Sequence, residues 1–125
     1  MNRTELRNLI ETLAEAWRTR DYAAAADSFT EDVRYADPLR YSFRSREDLR
    51  AFFEDDGGYP QRVVFRTILF DEEQQIGAAE YTYEGTHRYH GVVLLRVRNG
   101  KISHWREYQH IDSREWEEFA SGTVF

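Results

Sequence analysis

The sequence predicts an α+β domain in which an antiparallel sheet packs against N-terminal helices. Two observations carry the prediction. Apolar residues recur at helical spacing through the first half, and four strand-like runs divided by turn residues fill the second. Helices first and a meander after is the order expected when helices cover one face of an antiparallel sheet.

The elements follow in order. Leu6, Leu9, Ile10, Leu13 and Trp17 make one helical stripe over residues 2–19, and Asn2 with Glu5 has the form of a capping box. After "RTRDY" a short helix is expected from Tyr22 to Phe29, with Ala25, Ala26 and Phe29 on one side. "VRYADP" reads as a short strand carrying Val33, Tyr35 and Asp37 on one face, and Pro38 ends it. A third helix starts at Ser45, which stands three residues before Asp48 in cap-like spacing. It presents Leu49, Phe52 and Phe53 and stops at "EDDGG". The runs "RVVFRTILF", "QIGAAEYTYE", "HRYHGVVLLRVR" and "KISHWREYQHI" then read as strands, broken at "DEEQ", Gly85 and Asn99-Gly100. Asn-Gly is the strongest break, because both residues tolerate the positive φ of a type I′ hairpin. Asp112 and Glu115 open a terminal helix holding Trp116 and Phe119. With no repeat, linker or low-complexity stretch, residues 1–125 are read as a single domain.

Composition narrows the function classes. The chain is 41% hydrophobic and 15% aromatic, which predicts a packed, ring-rich core. A net charge of −6 without a Lys/Arg-rich run argues against nucleic acid and anionic membrane as partners. The absence of cysteine excludes disulfides, thiol catalysis and cysteine metal sites, and is compatible with a reducing compartment. "MNRTELRNLIE" is too polar for a signal peptide and no apolar run reaches membrane-spanning length, so a soluble cytoplasmic protein is expected.

A two-residue turn at Asn99-Gly100 pairs Arg98 with Lys101, and counting back through a regular ladder sorts the faces. Leu94 falls opposite Trp105, Val92 opposite Glu107, and His90 opposite Gln109, diagonal to Glu107. A tight turn at Gly85 adds Ala79, Tyr81 and Tyr83 to this face. Aromatic walls with a few convergent polar groups suit a ligand cavity. The opposite face, with Val93, Leu95, Val97, Ile102 and Tyr108 beside His104 and Arg106, suits a homodimer interface.

"WRTRDYAAAADSFTEDVRYADP" and "LLRVRNGKISHWREY" resemble the nuclear-transport-factor-2-like superfamily, which includes ketosteroid isomerase, the SnoaL-like polyketide cyclases and limonene epoxide hydrolase. The resemblance runs from Leu6 to Tyr108. It implies a strongly curved sheet wrapped around the helices as a cone with a deep pocket, often in a dimer. Asp37-Pro38 matches the general-base position of ketosteroid isomerase. Leu13 and Leu94 stand where that enzyme has its oxyanion donors, which argues against steroid isomerisation by the same machinery. Trp105-Arg106-Glu107-Tyr108 resembles the last strand of limonene epoxide hydrolase, whose Arg-x-Asp would need inward positions held here by Gly77, Ala79 and Tyr81. A lone carboxylate or histidine in an apolar pocket, as in the SnoaL-like cyclases, is the nearest analogue.

The candidate catalytic residues are Asp37, Glu107 and His90. Asp37 reads as a general base or as a turn residue before Pro38. Glu107, in mid-strand beside Trp105, reads as an acid/base group or as a member of a buried ion pair or hydrogen bond. His90 reads as its partner or as a structural histidine. Tyr35, Tyr81, Tyr83, Trp17, Trp105 and Gln109 are the candidate ligand-binding residues. His104 and His110 are too far apart to chelate together, so neither a metal nor a cofactor is implied. Three functions compete: a small isomerase, cyclase or hydrolase acting on a small molecule, a non-catalytic pocket protein, and a dimerisation module.

Overall fold

Each of the three longer helices begins where the sequence supplies a cap. In this computed structural model, which describes residues 1–125, α1 spans Arg3–Arg18, α2 Tyr22–Asp27 and α3 Arg46–Glu54. The Asn2 side chain accepts the Glu5 N–H at 2.8 Å, and the Glu5 carboxylate accepts the Asn2 N–H at 2.9 Å, completing the capping box. Asp21 and Ser45 cap α2 and α3 by accepting from the backbone N–H groups of Ala24 and Asp48, both at 3.1 Å. A one-turn helix, α4 (Trp116–Phe119), lies near the C-terminus. No helix is long and apolar enough to cross a membrane.

The six strands are β1 (Phe29–Asp37), β2 (Tyr41–Phe43), β3 (Arg62–Asp71), β4 (Ile76–Glu84), β5 (Arg88–Arg98) and β6 (Lys101–Ile111). They form one sheet in the order β2-β1-β6-β5-β4-β3. The four-strand meander is antiparallel as expected, with Asn99 and Gly100 at φ of 53° and 79° in its last turn. β1, however, runs parallel to β6, so the sheet is mixed. Two boundaries also differ from expectation. Phe29 opens β1 rather than closing α2, because its ring is fully buried against Tyr35, Phe53 and Trp105. β2 is a three-residue strand between β1 and α3 to which the sequence reading assigns no element.

The register of β6 carries the main correction. Arg98 faces Lys101 and Val97 faces Ile102, but Arg96 then faces His104, leaving Ser103 as an extra residue in a β-bulge. Beyond it Leu95 pairs with Trp105, Val93 with Glu107 and Gly91 with Gln109. Val93, Leu95, Val97 and Ile102 therefore lie in the core, all less than 5% exposed, while Val92 and Leu94 face outward at 40% and 38%. One inserted residue exchanges the two faces of β5 relative to the regular ladder. A second irregularity, between Phe65 and Ile68 on β3, keeps both of those side chains turned toward Tyr81 and Ala79. Two bulges bend the sheet around the helices.

α1 packs along β3 and buries Leu6, Ile10 and Leu13 completely. Each such side chain contributes about 1.5–3 kcal/mol relative to an exposed one. Trp17 closes this stripe, edge-on to Phe53 at 5.5 Å and to Trp105 at 6.1 Å. Beyond Trp17 the inner face of the sheet is no longer covered by α1, and there a cavity opens.

Candidate functional site

The cavity measures about 500 Å³ and lies between the inner face of the sheet and the C-terminal half of α3. Its apolar wall is built from Trp17, Tyr35, Phe52, Phe53, Phe65 and Trp105. Tyr35 and Trp105 stack with planes 4° apart and centroids at 5.8 Å, because β1 and β6 pair them directly. Tyr41 on β2 joins through Phe52 at 4.8 Å. Arg40, Asp55, Asp56 and His87 supply the charged and titratable groups nearer the mouth.

Glu107 is the charged side chain of the deep wall and is only 7% exposed. The Tyr81 hydroxyl lies 3.1 Å from its Oε2, and the Trp105 indole N–H donates to its Oε1 at 3.3 Å. Burial drives its pKa above the ordinary glutamate value; the hydroxyls of Tyr35, Tyr41 and Tyr81 and the Trp105 indole oppose the rise without cancelling it. The carboxylate acts back on its neighbours. Burial first, and then its charge, push Tyr35, Tyr41 and Tyr81 far above the usual phenol range.

Gln109 connects this cluster to Asp37. Its Oε1 accepts from Tyr81 at 2.6 Å, and its Nε2 donates to Asp37 Oδ2 at 3.0 Å and to the Tyr41 hydroxyl at 3.3 Å. Asp37 is 2% exposed, yet its carboxylate is occupied. Arg40 donates to Oδ2 at 2.7 Å and the Leu39 N–H to Oδ1 at 2.9 Å. Burial pushes the Asp37 pKa up, but Arg40, the Leu39 N–H and Gln109 together outweigh it and hold the carboxyl below its usual range. Asp37 does not contact the cavity directly; it braces the turn to β2 and orients Gln109.

His90 lies on the other side of the sheet. The bulge at Ser103 turns it outward, opposite Thr82 and His110 instead of beside Glu107. Its Nδ1 meets Thr82 Oγ1 at 2.9 Å, its Nε2 meets the Arg114 carbonyl at 2.8 Å, and Phe119 stacks on the ring at 4.4 Å. With Trp116 at 5.6 Å, it anchors the C-terminal segment and is 2% exposed. No acid–base couple with Glu107 exists. The aliphatic residues expected on the outer face, Val93, Leu95, Val97 and Ile102, are equally displaced; Val92 and Leu94 stand there in their place, beside Tyr108, which is exposed as expected.

Of the other sequence candidates, Tyr35, Tyr81, Tyr83, Trp17, Trp105 and Gln109 all line the cavity. Tyr83 donates to Gln61 at 3.0 Å, and burial with nearby charge pushes its pKa up to about 12. Gly77, Ala79 and Tyr81 do turn inward, and Leu13 is core. Leu94 faces solvent, yet its inward neighbours Val93 and Leu95 are aliphatic too, so β5 offers no hydrogen-bond donor at that place. Sequence reading missed Tyr41, Arg40 and Gln61. The Tyr41-x-Phe43 alternation after the Pro38 turn was the available signal for β2.

Comparison with known proteins agrees with this fold. A profile of the SnoaL-like domain matches residues 10–105. No curated protein matches the chain. Among solved structures, an LEH-like epoxide hydrolase from M. tuberculosis is 17% identical, with 86% of this chain and 84% of that one covered at a TM-score of 0.73. A protein from Catenulispora acidiphila with a ketosteroid-isomerase-like fold, in complex with trimethylamine, is 20% identical over 84% and 87% at a TM-score of 0.73. A protein from Xanthomonas campestris put forward as a polyketide cyclase is 18% identical over 99% and 100% at a TM-score of 0.69. At these identities the likeness concerns the fold.

Proposed function

The chain belongs to the SnoaL-like domain family, and from that footing we propose that it binds a small, largely apolar molecule in the aromatic cavity and acts on it by acid/base chemistry at Glu107. The observation that carries the reading is the buried carboxyl of Glu107 in the wall of an otherwise apolar pocket, with its pKa raised by that burial. A carboxyl so placed can exchange a proton with a substrate near neutral pH, which an ordinary glutamate does poorly. Proton transfer to or from a carbonyl, hydroxyl or epoxide oxygen fits an isomerase, cyclase or hydrolase, and the names of the epoxide hydrolase and cyclase neighbours fall in that range. Asp37, salt-bridged to Arg40, serves this reading as a support for the site rather than as its base.

The test is turnover of a panel of small ketones, enones and epoxides by the parent chain and by Glu107→Gln. Turnover lost in the variant with retained binding supports the reading. Binding without turnover in the parent makes the protein a non-catalytic ligand carrier. A cationic amine over the aromatic faces, beside an ionised Glu107, is the second reading; the trimethylamine complex of the Catenulispora neighbour favours it. We further propose that a second copy of the chain packs on the exposed Val92, Leu94 and Tyr108 of the outer sheet face.

A further inference from the structure

Tyr81 has one hydroxyl hydrogen and two acceptors within reach, Gln109 Oε1 at 2.6 Å and Glu107 Oε2 at 3.1 Å. Which one receives it is decided one step further out. Asp37, paired with Arg40, is ionised and can only accept, so the Gln109 amide must turn its NH₂ toward Asp37 and its oxygen toward Tyr81. The shorter contact then takes the Tyr81 hydrogen, and the oxygen of Tyr81 faces Glu107 as an acceptor. A contact between that oxygen and Glu107 is favourable when Glu107 carries the proton.

We propose that Asp37 and Gln109 are positioning residues that commit the Tyr81 hydrogen to Gln109, hold Glu107 as the protonated acid, and thereby select a neutral ligand bearing an acceptor oxygen. The inference rests on the reading of Glu107 as a group that meets ligand in the cavity. A ligand oxygen entering beside Oε2 competes with Tyr81 for the Glu107 proton, while an ammonium ion finds no anion there. The other groups facing Glu107 do not change the assignment. Gln109 Nε2 donates to the Tyr41 hydroxyl, which leaves the Tyr41 hydrogen free for the Glu107 carboxyl. Burial outweighs that hydrogen, the Tyr35 hydroxyl and the Trp105 indole N–H on Oε1, which favour the charged form. Tyr83 stays neutral, and Asp55, Asp56, Arg40 and His87 lie nearer the mouth. The raised pKa of Glu107 agrees with the geometry.

The experiment is a carbon-13 NMR titration of the Glu107 side-chain carboxyl in the full chain, parent against Gln109→Leu. This substitution leaves every formal charge in place. It frees the Tyr81 hydrogen to donate to Glu107, so the midpoint is expected to fall, by about one pH unit. Added apolar burial alone would raise it, so a rise or an unchanged midpoint overturns the proposal. If Gln109→Leu does not fold, Gln109→Met is titrated the same way. In the parent chain, a Tyr81 hydroxyl proton with a cross-peak to the Gln109 side chain is expected at pH 6, and a cross-peak to Glu107 alone overturns the assignment. Ligand class is read from quenching of tryptophan fluorescence at pH 6 by cyclohexanone and by cyclohexylammonium, which share a ring. Tenfold tighter binding of the ketone is expected, and the reverse order overturns the selection. If neither binds while the midpoint falls in Gln109→Leu, the positioning stands and the cavity reading fails.

Discussion

Tyr81 and Gln109 touch at 2.6 Å although their strands are not neighbours. Between β4 and β6 runs β5, and the residue that pairs with both is Gly91. A side chain at that place would run into β6 at Tyr108 and Gln109, so the buried polar cluster depends on a missing Cβ as much as on the groups that form it.

Gly91→Ala tests this dependence. A Cβ there would come within 2.5 Å of the Tyr108 carbonyl oxygen and 2.8 Å of Gln109 Cβ. The backbone cannot yield cheaply, so a loss of about 1–3 kcal/mol in urea denaturation is expected, with altered chemical shifts at Gln109 and Tyr81. Unchanged stability would show that the two strands can separate freely.

Glu107→Gln should change how stability depends on pH. The folded chain holds the Glu107 proton to a higher pH than the unfolded chain, where a glutamate titrates near 4.5. Its contribution is thus most favourable below 4.5 and declines as pH rises through the folded midpoint. Denaturation at pH 5 and pH 8 should show a smaller decline in the variant than in the parent. A larger decline would mean that the carboxylate, not the acid, is the stabilised form.

His90→Ala should loosen the C-terminal segment and leave the cavity intact. Stacking on Phe119 and the contacts to Thr82 and the Arg114 carbonyl are lost together, at a cost of roughly 2 kcal/mol. Faster hydrogen exchange and proteolysis near residues 112–120, with ligand quenching of the tryptophans unchanged, are the expected results. Loss of ligand binding at unaltered stability would return His90 to the functional site.

Leu94→Lys addresses self-association. If a second copy packs on the outer face, light scattering of the parent should give twice the monomer mass, and the variant should associate roughly tenfold more weakly. A monomeric parent at micromolar concentration refutes the interface.

Much of this was legible in the sequence, and the largest part that was not has one cause. Helical stripes and caps fix helix positions through contacts a few residues apart, so Asn2 and Ser45 could be read locally. The inward set on β6, Trp105, Glu107 and Gln109, also followed from simple alternation. Which β5 residues accompany them did not, because a bulge is stabilised by tertiary curvature and leaves no pattern of its own in "GKISHWREY". His90, Val92 and Leu94 were misplaced together for that single reason. β2 escaped because three residues are too few to show a period, and the choice between base and turn residue at Asp37 stayed open because Arg40 lies beyond the turn that brings it back.

The extra residue at the bulge has a further consequence. Ser103 is buried, but its hydroxyl makes only a 3.3 Å contact to the Arg96 carbonyl and a local one to His104. Its chemical identity therefore matters little, and alanine should serve nearly as well. What it supplies is a count. Deleting it would restore an even ladder, with Ile102, Trp105 and Glu107 all still turned inward, and would remove only the bend. Position 103 works as a spacer whose worth appears in chain length rather than in side-chain chemistry, so the cavity could be reshaped by insertion or deletion there without altering any residue that lines it.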